Sequence, residues 1–593
     1  MPKNGGIDDP ALLGGDEMWT RRTNHILNRW GPPRALDISE GMMSAENPVL
    51  PRWAYLYQAL RVCNIFLENI NKVPDLPAWE CEKWIAEVKV LKAYYHFCLV
   101  QMYGPIPIIR ENLPIDIDVF SVRVERDPVD ECFNYIVQLI DEACYGYTLP
   151  DEIADPESDL GRITKPIALS IKAIVLVNAA SPLFNGNEQQ ATLRNRNGKQ
   201  LFNITPDPDK WKKAMDACET AIVACHNAGF RLYEFPNPGN RHTNTIVTDL
   251  SLRNAFSERW NSDVVWANTQ MISIPEVGGM IQATMPKLNP AFMGSGDLCQ
   301  FLGMPIKIAR MFYTKNGVPL EEDNTRDIKN IYNLRTAGVD DQLYVYQGRT
   351  TVDLHFDREP RFYAWVGFDG GVWFGADKID DRNPTTLRYL AMKMGETDGT
   401  QGQGNWTGYI PKKYIPYLAQ VNALNSISAT SYAWPIVRLS NLYLLYAETI
   451  NEVEGPNGTN SATLFEYIDM VRARAGLEGV KKSWDTYTNA PKYNNQNGMR
   501  KIIQQERMIE LAFEGYRFWD IRRWKIAHEI YSTPLEGWYM KASIADGTEE
   551  EINRIMYQPQ FLLRREFGNK DYFWPIRTAD IDVNPNLVQN IGW

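Results

Sequence analysis

Residues 510–524 read ELAFEGYRFWDIRRW, and this stretch is the most informative part of the sequence about the fold. Apolar side chains lead into it at helical spacing, with Ile502, Ile509, Phe513 and Tyr516 on one face. A stripe of this kind is typical of an amphipathic helix that packs its apolar face against neighbouring elements. We therefore predict a helix here, inside a larger helical layer.

The same stretch spaces opposite charges along the predicted helix. Glu506, Glu510 and Glu514 follow one another at four-residue steps, while Arg507 and Arg517 lie three residues from Glu510 and Glu514. Opposite charges three or four positions apart stabilise a helix. The alternative is that two of the carboxylates form a general acid/base pair, but the adjacent arginines favour a structural ion-pair network. We assign no catalytic residue.

Helical periodicity extends over most of the N- and C-terminal sequence. In the N-terminal part it predicts helices at about residues 53–70, 84–103, 127–147, 164–182 and 207–228. In the C-terminal part, apolar residues recur at helical spacing over 436–450 and over 464–475, just before Gly476. Consecutive amphipathic helices with short connections indicate stacked helix hairpins, as in tetratricopeptide-like arrays, although no regular repeat period is present.

Residues 231–435 have a different character, because helical periodicity fades and 18 of the 40 glycines fall there. We divide the chain accordingly into helical parts at 1–230 and 436–593 and a loop-rich excursion at 231–435 that carries the ligand-binding face. Residues 363–374 predict a β-hairpin around Asp369-Gly370. Residues 395–408, rich in Gly, Thr and Gln, predict a mobile surface loop.

Composition excludes several classes of function. The net charge of −11 and the lack of a basic stripe argue against a nucleic-acid partner. Six scattered histidines form no zinc-binding pattern, and no nucleophile elbow or phosphate-binding loop is present, so we predict no catalytic metal, cofactor or catalytic site. Calcium on loop carboxylates stays open, although no EF-hand pattern is present. The eight cysteines show no CxxC spacing and fall mostly in apolar helical patterns, so we predict no disulfides.

The stretch at 510–524 closely resembles the signature of the SusD/RagB family. Further similarities to that family follow in order along the chain: LKAYYHF at 91–97, YGPIP at 103–107, GRITK at 161–165, RLSNLYLLYAE at 438–448 and NPNLVQNIGW at 584–593. The resemblance implies a mainly α fold, in which four degenerate tetratricopeptide-like helix pairs carry an irregular, loop-rich remainder with a few short hairpins. It spans nearly the whole chain.

The resemblance also implies a function without catalysis. Members of the family are outer-membrane lipoproteins that lie over a SusC-like TonB-dependent transporter and bind an oligosaccharide, or less often a peptide, before import. The first residues, MPKNGG, contain no signal peptide, and the lipid-bearing cysteine of the family is absent from this chain. The resemblance therefore implies an upstream signal ending in a cysteine, with the lipid anchor as the means of membrane attachment; the alternative that the residues alone leave open is a cytosolic protein.

Sugar binding requires flat apolar faces for the C–H side of a pyranose ring and hydrogen-bonding groups at the ring edge. Candidates are aromatic residues outside clear helical patterns and near polar or glycine neighbours: Trp19, Trp30, Trp365, Trp373, Trp406 and Tyr409. Two other readings remain open. A glycoside hydrolase on a helical scaffold needs two carboxylates across a cleft, and a protein-binding helical scaffold leaves the excursion unexplained.

Overall fold

The computed structural model describes residues 9–22, 33–114, 116–146, 148–271, 279–292, 300–399, 404–423 and 426–593. The helices before residue 260 are α1 (Pro10–Leu13), α2 (Ala35–Ser39), α3 (Trp53–Asn69), α4 (Ala78–Tyr103), α5 (Val129–Cys144), α6 (Lys165–Ala180), α7 (Asp209–Asn227) and α8 (Asn244–Ser257). The five helices predicted in this part correspond to α3 to α7, with bounds that differ by a few residues. None of the helices in the described ranges is long and apolar enough to cross a bilayer.

The middle of the chain carries short helices and strands. They are β1 (Val264–Met271), α9 (Met280–Thr284), α10 (Ile306–Met311), β2 (Leu334–Thr336), β3 (Thr350–Val352), α11 (Pro360–Trp365), β4 (Val366–Phe368), β5 (Val372–Trp373), β6 (Arg388–Tyr389), β7 (Tyr409–Pro411), β8 (Gln420–Ala423), β9 (Ser426–Ser428) and β10 (Ala433–Arg438). These ten strands pair as two-stranded antiparallel ribbons: β1 with β10, β2 with β3, β4 with β7, β5 with β6 and β8 with β9.

The C-terminal part returns to helices. Its elements are α12 (Leu439–Glu454), α13 (Ser461–Arg474), α14 (Val480–Tyr487), α15 (Gln496–Glu510), α16 (Tyr516–Arg523), α17 (Ala527–Ser532), β11 (Leu535–Trp538), α18 (Glu549–Met556), β12 (Pro559–Leu563) and α19 (Thr578–Val583). β11 and β12 form a further antiparallel ribbon.

Each helix from α3 to α7 packs on the next one, and α7 packs on α12, which contacts α13 and α15 in turn. The helical layer is therefore continuous across the excursion, whose first and last strands, β1 and β10, are paired with Val264 opposite Arg438. The mainly α fold with stacked helix hairpins is confirmed. One large hydrophobic core includes residues from all three parts of the chain.

Two predicted helices differ from the structure at their ends. Ile436 lies in β10, where the backbone is extended to pair with β1, so the helix begins only at Leu439. The predicted helix through Tyr516 is interrupted, because Phe513 and Gly515 have φ values of 66° and 80°. Such backbone cannot continue a right-handed helix, and the signature therefore forms the end of α15, a tight turn and α16.

The three glutamates of the signature region are buried and ion-paired, as predicted for a structural network. Glu506, Glu510 and Glu514 are each at most 1% exposed. Their partners, however, come from distant segments: Arg361 and Arg472 bind Glu506, Arg438 and Arg474 bind Glu510, and Arg438 and Lys413 bind Glu514. The predicted partners Arg507 and Arg517 pair instead with Asp520 and Asp16.

Burial by itself raises the pKa of Glu510, but Arg474, Arg438 and Arg361 outweigh it and hold that pKa below its ordinary value. Glu510 is therefore an ionised structural carboxylate. The seven cysteines in the described ranges are free thiols, and Cys299 lies outside those ranges.

Candidate ligand-binding site

Three of the six aromatic residues predicted to bind ligand lie in the core, and for them the prediction is wrong. Trp365, Trp373 and Tyr409 are each at most 1% exposed. The indole N–H of Trp365 donates to the carbonyl of Leu252, and the hydroxyl of Tyr409 lies 2.9 Å from Nε2 of His355. Rings enclosed in this way have no free face on which a sugar can stack.

Trp365 and Trp373 were predicted to bind ligand because they lie in the predicted hairpin at 363–374, and this hairpin does not form. Residues up to Trp365 end α11, while β4 pairs with β7 and β5 pairs with β6. The Asp369-Gly370 turn thus joins two strands that have other partners. Asp369 is itself buried and pairs with Arg349. Because both strands are covered on both faces, their aromatic side chains fill the interior.

Of the two N-terminal candidates, Trp19 and Trp30, the structure describes only Trp19. Trp19 is 7% exposed, and its backbone exchanges two hydrogen bonds with Gly303, at 2.8 and 3.0 Å. Its ring therefore offers little surface to a ligand, and the prediction for Trp19 is also wrong. Trp30 lies outside the described residues.

Trp406 is half-buried, unlike its buried neighbours from Gly404 to Tyr409. The guanidinium carbon of Arg21 lies 4.6 Å from the centroid of its ring, and Nζ of Lys541 lies 5.6 Å from the same centroid. Both cationic side chains are exposed, and neither forms an ion pair with a carboxylate in the described part of the chain. We call Arg21, Trp406 and Lys541 the Trp406 platform.

The backbone beneath the platform is held by hydrogen bonds. Oδ1 of Asn405 accepts from the N–H groups of Thr407 and Gly408, each at 2.8 Å, and its Nδ2 donates to the carbonyl of Tyr409. The carbonyl of Thr407 accepts from the N–H of Trp538. The indole of Trp406 is thus presented from a backbone that these hydrogen bonds hold in place.

The predicted mobile loop at 395–408 is wrong for its described C-terminal part, since residues 404–409 are buried apart from Trp406. Gly408 in this segment allows close packing. Gly408 has a φ of 80°, and a Cβ added to it would lie 2.7 Å from Cδ1 of Trp538. Residues 400–403 of the predicted loop lie outside the described ranges.

Asp398 anchors the earlier part of the same segment. Its Oδ1 accepts from the backbone N–H groups of Lys287 and Leu288, at 2.8 and 3.0 Å, and its Oδ2 accepts from that of Ala391. Burial nevertheless raises the pKa of Asp398 to about 6, because hydrogen bonds offset only part of the lost hydration.

An open groove of about 930 Å³ lies next to α18 and the β2–β3 ribbon. We call it the α18 groove, and its lining includes Tyr332, Thr336, Thr350, Asn553 and Arg554. The ring of Tyr332 meets that of Trp538 edge to face, with centroids 5.3 Å apart. Trp538 therefore supports both the Trp406 loop, through its backbone, and this groove, through its ring.

Sequence patterns indicated neither the cations of the platform nor Tyr332. Arg21 and Lys541 reach Trp406 from opposite ends of the chain, and no local spacing relates such residues. Tyr332 lies in an irregular segment just before β2. A search for surface tyrosines beside Asn and Thr would have included it, but among the 29 tyrosines of the chain it carries no distinguishing local signal.

Similar proteins agree on one family. A family model described as "SusD family" matches residues 264–593, more than half of the chain, and one described as "Starch-binding associating with outer membrane" matches residues 32–173. SusD-like proteins P2 and P25 of Formosa agariphila are 28% and 33% identical over 178 and 120 residues. These matches cover 30% and 20% of this chain and only 29% and 20% of the two relatives.

Solved structures extend the similarity to the whole fold. The protein BT4246 superposes with a TM-score of 0.81 at 24% identity, over 99% of this chain and 96% of its own. A SusD-like protein (BF3747) from Bacteroides fragilis NCTC 9343 superposes with a TM-score of 0.70 at 20% identity, over 99% and 94%. On the match over residues 264–593 and the shared fold, this chain belongs to the SusD family.

Proposed function

We propose that this chain captures an oligosaccharide at the Trp406 platform. The observation that carries the proposal is the half-buried indole of Trp406, held on a hydrogen-bonded backbone and flanked by the exposed donors of Arg21 and Lys541. An aromatic ring with hydrogen-bond donors close to it can serve both the C–H face and the hydroxyl groups of a pyranose ring.

We further propose that the chain acts at the cell surface, anchored to the outer membrane by lipid, and delivers its ligand to a SusC-like TonB-dependent transporter. The family model named for starch binding and association with the outer membrane supports this role. Two experiments test it. The upstream coding sequence should encode a signal ending in a cysteine, and the affinity-tagged chain should co-purify with a TonB-dependent barrel from outer membranes.

The proposed capture proceeds without turnover. Hydrolysis of a glycosidic bond needs two carboxylates on either side of a cleft, whereas Glu506, Glu510 and Glu514 are buried among arginines. A bound oligosaccharide incubated with the purified chain should be recovered intact. Release of reducing ends that is abolished by a single carboxylate substitution would instead support a glycoside hydrolase.

Calorimetric titration tests the site itself, using an oligosaccharide identified on a glycan array. Loss of a stacking aromatic costs on the order of 1 kcal/mol, so Trp406→Ala should weaken binding several-fold. Trp79→Ala is the matched control, because Trp79 is an exposed indole, at 67%, on α4. Equal affinity of Trp406→Ala and wild type, together with lost affinity of Tyr332→Ala, would place the ligand in the α18 groove instead.

A further inference from the structure

We infer that the ligand of the Trp406 platform is an acidic oligosaccharide, with carboxylates or sulfate esters on its sugar rings. Arg21 and Lys541 bind the acidic group, and Trp406 supports the ring that carries it. This inference rests on the proposed function and specifies the class of its ligand.

The charge state of the platform favours an acidic ligand. Arg22, the neighbour of Arg21, pairs with Asp37 and Glu40 and is thereby neutralised. Arg21 and Lys541 form no ion pair in the described ranges, and both are exposed. Two uncompensated positive charges therefore converge on one indole, in a chain whose net charge is −11. Such a local reversal of sign attracts anions to this point of the surface.

The position of Arg21 over the indole also favours an acidic ligand. With its guanidinium carbon 4.6 Å from the ring centroid, Arg21 covers part of the face on which a sugar would stack. A neutral ring must displace the guanidinium and gains no charge-assisted bond in return. An acidic ring gives the displaced guanidinium a carboxylate or sulfate to bind, and such a bond can be bidentate. The arrangement therefore disfavours neutral sugars relative to acidic ones.

Matched probes with and without charge test the inference by calorimetry. One arm uses an oligogalacturonide and its carboxyl-reduced form, and the other uses a sulfated galactan oligosaccharide and its desulfated form. We expect at least one charged probe to bind ten-fold or more tightly than its neutral form, with an affinity that falls as salt is added. The arm in which this occurs distinguishes a carboxylate from a sulfate ester.

Charge-removing variants locate the preference. Arg21→Gln combined with Lys541→Gln should reduce the affinity for the charged probe to that for its neutral form. Lys570→Gln is the matched control, because Nζ of Lys570 also lies over an indole, 4.2 Å from the centroid of Trp593, and it should leave the preference unchanged. All three side chains are exposed, so thermal melts should match the wild type.

The outcomes separate this inference from the function on which it rests. If the wild type binds charged and neutral forms equally, or neither charged probe, the acidic class is wrong. If neutral oligosaccharides then still bind and Trp406→Ala weakens them, capture at the platform stands. If Trp406→Ala leaves the affinity for every tested oligosaccharide unchanged, both the acidic ligand class and capture at the platform are wrong. A preference that survives in the double variant also overturns the inference.

Discussion

The carboxylate of Asp16 and the guanidinium of Arg517 form a buried bidentate pair between residues 501 positions apart. Nε of Arg517 donates to Oδ1 of Asp16 at 2.7 Å, and Nη2 donates to Oδ2 at 2.9 Å. Lys307 contacts the same carboxylate at 2.7 Å. The segment from Asp9 to Thr20 is buried throughout, so this pair makes the N-terminal segment part of the core around the family signature.

Removal of the Asp16 charge should strongly destabilise the fold. Asp16→Asn leaves the buried Arg517 and the partly buried Lys307 without their counter-charge, and loss of one partner from a buried pair costs about 3–5 kcal/mol. We expect a loss of this size in the free energy of unfolding measured with urea. Glu550→Gln is the control, because Glu550 and Arg554 form an exposed pair that contributes at most about 1 kcal/mol. Equal losses in the two variants would contradict the structural role of Asp16.

The neighbouring Glu17 should make stability depend on pH. Burial raises its pKa to about 8, whereas an exposed glutamate has a pKa of about 4.3. Between these values the folded chain holds a proton that the unfolded chain has lost. The free energy of unfolding therefore falls as pH rises through this interval, by up to about 1.4 kcal/mol per pH unit.

Glu17→Gln tests this dependence, since glutamine is uncharged at every pH and its oxygen can still accept the hydrogen bond from the Phe513 N–H. The stability of the variant relative to wild type should increase from pH 5 to pH 8 and level off above it. The comparison cancels the contribution of other titrating groups, such as Asp398. A difference that stays constant across urea titrations from pH 5 to 9 would show that Glu17 is ionised in the fold.

The buried position of Trp365 predicts the opposite behaviour from that of Trp406. Trp365→Ala removes a core indole and its hydrogen bond to Leu252, which should cost about 3–5 kcal/mol of stability. Trp406→Ala should lower the melting temperature much less, because its ring is only half-buried. Thermal melts of the two variants compare these two losses of stability. A Trp406→Ala melt as low as that of Trp365→Ala would make Trp406 a core residue.

Gly408 should be required for the packing of the Trp406 loop. Gly408→Ala imposes a φ of 80° on alanine and drives its Cβ to 2.7 Å from the Trp538 ring. Gly348→Ala is the matched control, since Gly348 has a φ of 83° but nothing within 4 Å of the added Cβ. Both variants carry the backbone cost of about 1 kcal/mol. Urea denaturation should show a larger loss for Gly408→Ala, and equal losses would mean that the clash is relieved.

Periodicity along the chain is sufficient to predict the helical layer. The stripes that predicted α3 to α7 reflect a local rule, because a helix that buries one face needs apolar residues every three to four positions. The position of Ile436 shows where that rule fails. Its spacing fits the following helix, but the backbone there is extended because β10 pairs with β1, a strand about 170 residues earlier. The spacing of nearby residues contains no information about so distant a partner.

The sequence by itself also identified which residue types a sugar site needs, but only the tertiary structure decided which of them are available. Trp365 and Trp406 are each followed by a glycine two positions later, yet one ring is enclosed and the other is half-buried. Burial depends on what the rest of the chain brings to a residue. Arg21 and Lys541 meet at Trp406 from opposite ends of the chain, and contacts of such sequence separation arise only when the whole chain folds around one core.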